Sequence, residues 1–199
     1  MGLVGWVDRG RARRDPRLVR RGGRRRCRAG AGSTHSLVLK SDGTVWAWGD
    51  NTNGALGVGN TADQGTVLTC CDTPVQVHGL TTVTAVAAGD FDSLALTSAG
   101  TVWAWGDNTS GQLGDGTMTA RDTPVQVGGL TRVTAIAAGS TQSLALKSDG
   151  TVSAWGNNTE GELGDGTTTE RDTPLPVAGL TSVIAIAAGL EYSLALRKN

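Results

Sequence analysis

Short apolar runs alternate with glycine-rich turns along most of the chain. Between Gly79 and Gly128 there are four such runs, the first made of small residues and the third carrying two tryptophans. Runs this short, bounded by glycine, are typical of β-strands, because a stable helix needs a longer periodic stretch. The pattern predicts four strands in this segment: Thr84–Ala88, Ser93–Leu96, Thr101–Gly106 and Pro124–Val127.

The same four runs recur with a period of 50 residues. Residues 79–128 and 129–178 are identical at 34 of 50 positions without a gap. An earlier unit is longer, because its loop between Gly57 and Pro74 contains extra residues. The repeats occupy residues 29–199 and divide into three complete units and one partial unit: 29–78, 79–128, 129–178 and 179–199.

A repeat of four short strands predicts an all-β fold, a partial β-propeller of about three to four four-stranded antiparallel blades. A wedge-shaped blade needs small side chains near the axis and large ones outside, and the alanine-rich first strand and tryptophan-rich third strand meet this need. Proline in the fourth strand indicates the blade edge, because proline cannot donate a hydrogen bond there. A β-solenoid is the competing repeat architecture.

Several residues of the unit resemble the regulator-of-chromosome-condensation (RCC) repeat. They are the string WGDNTSGQLG at Trp105–Gly114, the pair Thr123-Pro124, the triplet Ala137–Gly139 and the run Ser143–Leu146. The resemblance covers residues 31–199 and implies a propeller, usually of seven blades. Seven blades need roughly 350 residues at this period. We therefore expect a fragment of a bacterial-type propeller, or a molecule that completes itself with another copy.

The formal net charge of zero conceals two parts of opposite charge. Residues 1–28 contain eleven Arg and two Asp, whereas residues 29–199 are acidic. The arm 1–28 does not resemble the repeat and is predicted to be irregular. Three interpretations are open: a sequence foreign to the protein, an arm that rests on the acidic repeats, and an arm that binds nucleic acid. The last interpretation singles out Arg20, Arg21, Arg24, Arg25 and Arg26.

The chain carries no familiar pattern of catalytic or metal-binding residues. Its two histidines, His35 and His78, stand in no known catalytic spacing, and its three cysteines match no metal or disulfide pattern. The acidic residues around Asp115 and Asp165 do not follow the order of a calcium loop, and they favour Asx turns. We therefore expect no enzyme activity, no cofactor and no metal.

The sequence leaves the compartment open between extracellular and cytoplasmic. No apolar run reaches the ~18 residues that a membrane span needs. The first residues lack the charged and apolar regions of a signal peptide. Neither observation decides where the protein works.

One loop differs between units whose surroundings are nearly constant. It follows the Ala-Gly pair, and a loop that varies on a constant scaffold is a candidate binding site. Phe91 and Tyr192 are its natural aromatic anchors. The candidate partner-binding residues are Thr34, His35, Asp90, Phe91, Asp92, Thr141, Gln142, Glu191 and Tyr192.

These loops predict a protein-binding or scaffold module within a larger repeat protein. Neutral variation at the surface is the alternative explanation of the same pattern. The resemblance implies two further functions, guanine-nucleotide exchange on a small GTPase and inhibition of an enzyme. Nucleic-acid binding through the arm is a fourth hypothesis, and self-association through open blade edges is a further one.

Overall fold

Every regular element in the described part of the chain is a β-strand. The structure is a computed structural model that describes residues 28–61 and 71–198. Its strands form three four-stranded sheets and one two-stranded sheet, and all pairings are antiparallel. In each sheet the strands lie side by side in chain order, as in the blade of a propeller.

The blades follow one another along the chain. The first contains β1 (Arg28–Ala31), β2 (His35–Leu39), β3 (Val45–Gly49) and β4 (Cys71–Gln76). The second contains β5 (Val83–Ala88), β6 (Asp92–Thr97), β7 (Val102–Gly106) and β8 (Arg121–Gln126). The third contains β9 (Val133–Ala138), β10 (Gln142–Lys147), β11 (Val152–Gly156) and β12 (Arg171–Pro176). The two-stranded sheet contains β13 (Val183–Ala188) and β14 (Ser193–Arg197).

The hydrophobic core lies between blades. First strands of successive blades are neighbours, so the small residues of β1, β5, β9 and β13 lie on the inner side of the arc. Between the second and third blades, Leu94 and Leu113 of one blade pack in a single cluster with Ala145 and Trp155 of the next. Each blade therefore buries its apolar face on its neighbour, which explains why the strands are apolar on both sides.

The all-β partial propeller predicted from the sequence is confirmed, with corrections at strand ends. The fourth strands begin three residues before the proline where the sequence placed them, at Arg121 instead of Pro124 in the second blade. They lie at the outer edge of each sheet, as proline indicated. The first strand begins at Arg28, so the final residue of the predicted arm belongs to a blade. Arg28 pairs with Leu39 of β2, and this pairing places it in the blade.

Candidate partner-binding face

The loops that follow the first strands of the four sheets lie close together. They surround a cavity of about 260 Å3 lined by the Ala-Gly pairs and by the residue after each pair. Those four residues are Ser33, Asp90, Ser140 and Leu190. We call residues 33–35, 90–92, 140–142 and 190–192 together the loop ring.

Hydrogen bonds join neighbouring loops of the ring. The Ser140 hydroxyl donates to the Asp90 carboxylate over 2.6 Å, and the Asp90 backbone N–H donates to the Ser140 carbonyl oxygen over 3.3 Å. On the other side, the Thr34 hydroxyl makes a long contact of 3.5 Å with the Asp90 carbonyl oxygen. Asp90 therefore links three of the four loops, and these contacts set the spacing between the loop backbones.

Large apolar side chains stand exposed on this ring. Phe91 is 38% exposed, Tyr192 57% and Leu190 63%. Thr34 and Glu191 are also exposed, while Asp90 and Thr141 are half-buried. Six of the nine predicted binding residues are therefore accessible to a partner: Thr34, Asp90, Phe91, Thr141, Glu191 and Tyr192. Leu190 is a further exposed apolar residue of the ring, and its size and its place after Gly189 are the sequence signals that mark it.

Three predicted binding residues are buried between blades. His35, Asp92 and Gln142 are at most 3% exposed, and each is the first residue of a second strand. The alternation of side chains along the strand indicates this burial, because His35, Leu37 and Leu39 all point to the buried face. Their direct contact with a partner stays a prediction, and their burial does not favour it.

These buried side chains make contacts across the blade boundary. The His35 Nε2 lies 2.8 Å from the Ser93 hydroxyl of the second blade. The Gln142 amide donates to the Gly189 carbonyl oxygen over 3.0 Å, at the boundary between the third blade and the two-stranded sheet. His35 and Gln142 therefore help to hold successive blades together beneath the loop ring.

Burial shifts the pKa of two of them, in each case in the direction that favours the neutral form. Desolvation lowers the pKa of His35 to about 4, although the charge of Asp50 and a hydrogen bond to the Asp90 backbone act to raise it. Desolvation raises the pKa of Asp92 well above its usual value, and the nearby carboxylates of Asp107 and Asp90 raise it further. Both Asp92 oxygens are buried without a hydrogen-bond partner among the described residues.

The loop between the third and fourth strands is organised by one asparagine. The Asn108 Oδ1 accepts the Leu113 backbone N–H over 3.0 Å, and its amide donates to the Thr117 and Thr119 carbonyl oxygens over 2.9 and 3.0 Å. The Asp115 carboxylate accepts the Thr117 backbone N–H over 3.0 Å, which is the Asx turn expected from the sequence.

The remaining predictions on chemistry concern metals, membranes and the arm. Within residues 28–61 and 71–198, no group of three or more His, Cys, Asp or Glu side chains is arranged to hold a metal ion. The same residues contain no helix with the length and apolarity to cross a membrane. The arginines proposed to bind nucleic acid lie outside the described residues: Arg20, Arg21, Arg24, Arg25 and Arg26.

A family model described as the regulator of chromosome condensation (RCC1) repeat matches residues 42–96, 99–146 and 149–196. The chain belongs to the RCC1 repeat family. A second model of the same description matches residues 83–112 and 133–162. The three main matches each join the outer strands of one blade to the inner strands of the next, so the family's sequence unit is offset from the structural blade.

Proteins similar to this RCC1 repeat chain come from several eukaryotes. The chain is 38% identical over 93 residues to the protein RCC2 homolog of Danio rerio, a match spanning 46% of this chain and 17% of that protein. It is 40% identical over 85 residues to the ultraviolet-B receptor UVR8 of Arabidopsis thaliana, spanning 43% of this chain and 18% of the receptor. The chain thus matches less than a fifth of each of these relatives.

Solved structures show the same fold over most of the described chain. Yeast RCC1 (Prp20), solved with Kap60 bound, aligns with a TM-score of 0.71 and 29% identity, over 85% of this chain and 41% of that chain. Human WBSCR16 aligns with a TM-score of 0.75 and 24% identity, over 86% of this chain and 44% of that chain. The blades therefore correspond to less than half of each of these two chains.

Proposed function

We propose that this RCC1 repeat chain is a protein-binding module and that the loop ring is its binding face. The observation that carries the proposal is that Phe91, Leu190 and Tyr192 are exposed on loops that surround one cavity and are joined by hydrogen bonds. Exposed aromatic side chains on a rigid frame are favourable anchors, since they bury a large area while losing little conformational freedom.

The charges on the ring favour a partner segment that contains Lys or Arg. Asp90 and Glu191 lie directly beside Phe91 and Tyr192 in the chain, and residues 29–199 are acidic as a whole. Complementary charge at the rim of an interface speeds association and selects against acidic partners. Yeast RCC1 (Prp20), with which the chain shares its fold, has been solved bound to the protein Kap60.

A quantitative pull-down tests the proposal. The 199-residue protein and its Phe91→Ala/Tyr192→Ala variant serve as bait, and captured proteins are compared by mass spectrometry. The proposal expects a defined set of proteins to be lost from the variant. Met118→Ala is the matched control, because Met118 is 47% exposed but lies in the loop between third and fourth strands. Equal capture by all three baits contradicts the proposed face.

Nucleotide exchange and enzyme inhibition stay predictions that rest on the family resemblance. A nucleotide-release assay with a small GTPase tests the first, and an inhibition assay tests the second. The bacterial origin expected from the sequence also stays a prediction.

A further inference from the structure

At each blade boundary, one buried side chain beneath the loop ring lies beside a backbone carbonyl oxygen of the following sheet. These side chains are His35, Asp92 and Gln142, the first residues of β2, β6 and β10. They occupy the same place in three successive repeats, and all three are buried. Because the three side chains differ in chemistry, the corresponding carbonyl oxygen meets a different group at each boundary.

Gln142 shows which group this place favours. Its Nε2 donates to the Gly189 carbonyl oxygen over 3.0 Å. A Cβ added at Gly139 would clash with both of these atoms, so the donor and the acceptor border one point beside that glycine. The glutamine amide thus supplies the proton that the carbonyl oxygen of the next loop accepts.

Asp92 meets the same kind of acceptor between the second and third blades. A Cβ added at Gly89 would clash with the Asp92 Oδ1 and would lie 2.6 Å from the Gly139 carbonyl oxygen, so these two oxygens also border one point. Both Asp92 oxygens are buried, and neither has a hydrogen-bond partner among the described residues. Two facing oxygens without a proton between them repel each other, and the repulsion is strong where water is excluded.

Asp92 lacks the donors that its neighbouring carboxyl groups have. Asp90 accepts the Ser140 hydroxyl over 2.6 Å, and Asp107 accepts the Gln112 amide over 2.8 Å. Donors such as these favour an ionised carboxyl group, whereas burial and nearby negative charge favour a protonated one. Burial, followed by the charges of Asp107 and Asp90, accordingly raises the pKa of Asp92. Of the three groups, Asp92 is the one placed to hold a proton.

The position of Asp92 connects this proton to the loop ring. Asp92 directly follows the exposed Phe91, and Gly139 directly precedes Ser140. The two loops already touch once, because the Asp90 backbone N–H donates to the Ser140 carbonyl oxygen over 3.3 Å. A bond from Asp92 to the Gly139 carbonyl oxygen ties the same two loops together at a second point.

We propose that Asp92 is a neutral carboxylic acid that donates its proton to the Gly139 carbonyl oxygen and thereby fixes the position of Phe91 on the loop ring. Asp92 is a positioning residue, because it is buried and acts on the ring through the neighbouring loop. When hydroxide takes up this proton to form water, the bond is lost and the carboxylate faces the carbonyl oxygen. The loops 90–92 and 140–142 then separate, so the ring is ordered at low pH and loosened at high pH. The inference goes beyond the proposed function, since it concerns the free protein and requires no partner.

Carbon-13 NMR measures the protonation state of Asp92 directly. The 199-residue protein is labelled with carbon-13 aspartate, and the Asp92 Cγ signal is assigned through its own backbone. We expect the chemical shift of a protonated carboxyl group for Asp92 at pH 6. The exposed Asp42 is the reference for a carboxylate, because hydrogen bonds from Thr44 lower its pKa. A carboxylate shift for Asp92 at pH 6 would overturn the proposal.

Fluorine NMR measures the effect on the ring. Phe91 is the single phenylalanine of the chain, so labelling with 4-fluorophenylalanine gives one signal that reports on its position. As pH is raised, we expect this signal to shift with the same midpoint as the Asp92 Cγ signal. The exchange rate of the Asp90 amide proton, corrected for base catalysis, should increase about tenfold or more across that midpoint.

Two variants separate Asp92 from other carboxyl groups. Asp92→Asn carries an amide that can donate at every pH, as Gln142 does, so its Phe91 signal should be constant across the range. Asp149→Asn is the matched control, because Asp149 is exposed in the turn between β10 and β11, at the opposite end of the blade, and it should titrate like the wild type. The same titration of Phe91 in Asp92→Asn and in the wild type would refute the role of Asp92.

Two further results would assign the buried carboxyl group differently. If Asp92 is ionised at pH 6 and its signal moves when Ca²⁺ or K⁺ is added, a cation replaces the proton and the proposal is wrong. If Asp92 is protonated but its titration leaves the Phe91 signal unchanged, the bond does not position the ring, and the proposal is again wrong. Neither result depends on the pull-down with Phe91→Ala/Tyr192→Ala, so the two proposals can fail separately.

Discussion

The Trp105 indole hydrogen-bonds across the blade boundary to the carbonyl oxygen of Ala55, 50 residues earlier in the chain. The donor lies in the third strand of one blade, and the acceptor lies in the loop before the fourth strand of the preceding blade. Because both groups are fully enclosed, the bond has no competition from water. The contact thus sets the spacing of the two blades as well as adding stability.

Trp155→Phe should destabilise the protein by about 1–3 kcal/mol. The substitution keeps an aromatic ring but removes the N–H that donates to the Gln112 carbonyl oxygen, so this buried acceptor keeps only the Ser143 hydroxyl as a donor. Trp155→Ala should cost about 3–5 kcal/mol, because it also leaves a cavity. Urea unfolding followed by circular dichroism measures both.

Trp46→Phe is the control for this prediction. Trp46 is half-buried, its indole N–H donates to the nearby Thr44 hydroxyl over 3.2 Å, and Lys40 covers its ring. We expect a change within about 0.5 kcal/mol, which is typical of surface substitutions. If Trp46→Phe and Trp155→Phe destabilise equally, the inter-blade bond is not the source of the effect.

The sequence predicts the blades well because they are built from local patterns. The period, the glycine turns and the edge proline each act within one unit, and together they predict the number and order of the strands in a blade. The acceptor for Trp105 could not be predicted, because a backbone carbonyl such as that of Ala55 leaves no trace in the residue type. Alternation with Leu94 and Leu96 pointed to the burial of Asp92, but the residue type argued against it, since a carboxylate is expected to be exposed.

Asp92→Asn should stabilise the protein at neutral pH by about 1–3 kcal/mol. The buried carboxyl lacks a hydrogen-bond partner among the described residues, whereas an amide at the same repeat position, that of Gln142, donates to a carbonyl oxygen of the next loop. Because the folded-state pKa of Asp92 is raised, the folded state holds a proton that the unfolded chain releases above its pKa of 3.8. Wild-type stability should therefore decrease as pH rises from about 4.

Urea unfolding between pH 4 and 8 measures this contribution. The difference in stability between Asp92→Asn and the wild type should grow with pH, because only the wild type has the buried carboxyl to titrate. A difference that is constant across the range would show that the Asp92 carboxyl has the same pKa in the folded and unfolded states.

His35→Gln should have the opposite dependence on pH. Burial lowers the folded-state pKa of His35 from 6.5 to about 4. Between these two pH values the unfolded chain therefore binds a proton that the folded protein does not bind. The His35 contribution is therefore complete above pH 6.5 and is lost as pH falls to 4, by up to about 3 kcal/mol. Glutamine does not titrate and is the residue that the third blade carries at this position.

The same unfolding series checks His35→Gln by its slope. Between pH 6.5 and 4 the wild type should lose stability relative to the variant, whereas above pH 7 the difference should be constant. His78→Gln is the control, because His78 is exposed. An equal slope for His35→Gln and His78→Gln would refute the assignment to the buried ring.

Asn158→Ala should destabilise the third blade. The Asn158 Oδ1 accepts the Leu163 backbone N–H over 3.0 Å, and its amide donates to the Thr167 and Thr169 carbonyl oxygens over 3.0 and 3.1 Å. The side chain is 0% exposed, so alanine leaves buried backbone groups unpaired, at a cost of about 2–3 kcal/mol.

Asn157→Ala is the neighbouring control for this loop. Its side chain is half-buried and accepts one exposed hydrogen bond, from the Thr159 backbone N–H over 3.1 Å. Water can replace that bond, so we expect a loss below about 1 kcal/mol. Hydrogen exchange of the Leu163 amide provides a second readout, since its protection depends on the Asn158 carbonyl. If Asn158→Ala leaves that protection intact, another group organises the loop, and the same reasoning fails for Asn108 in the second blade.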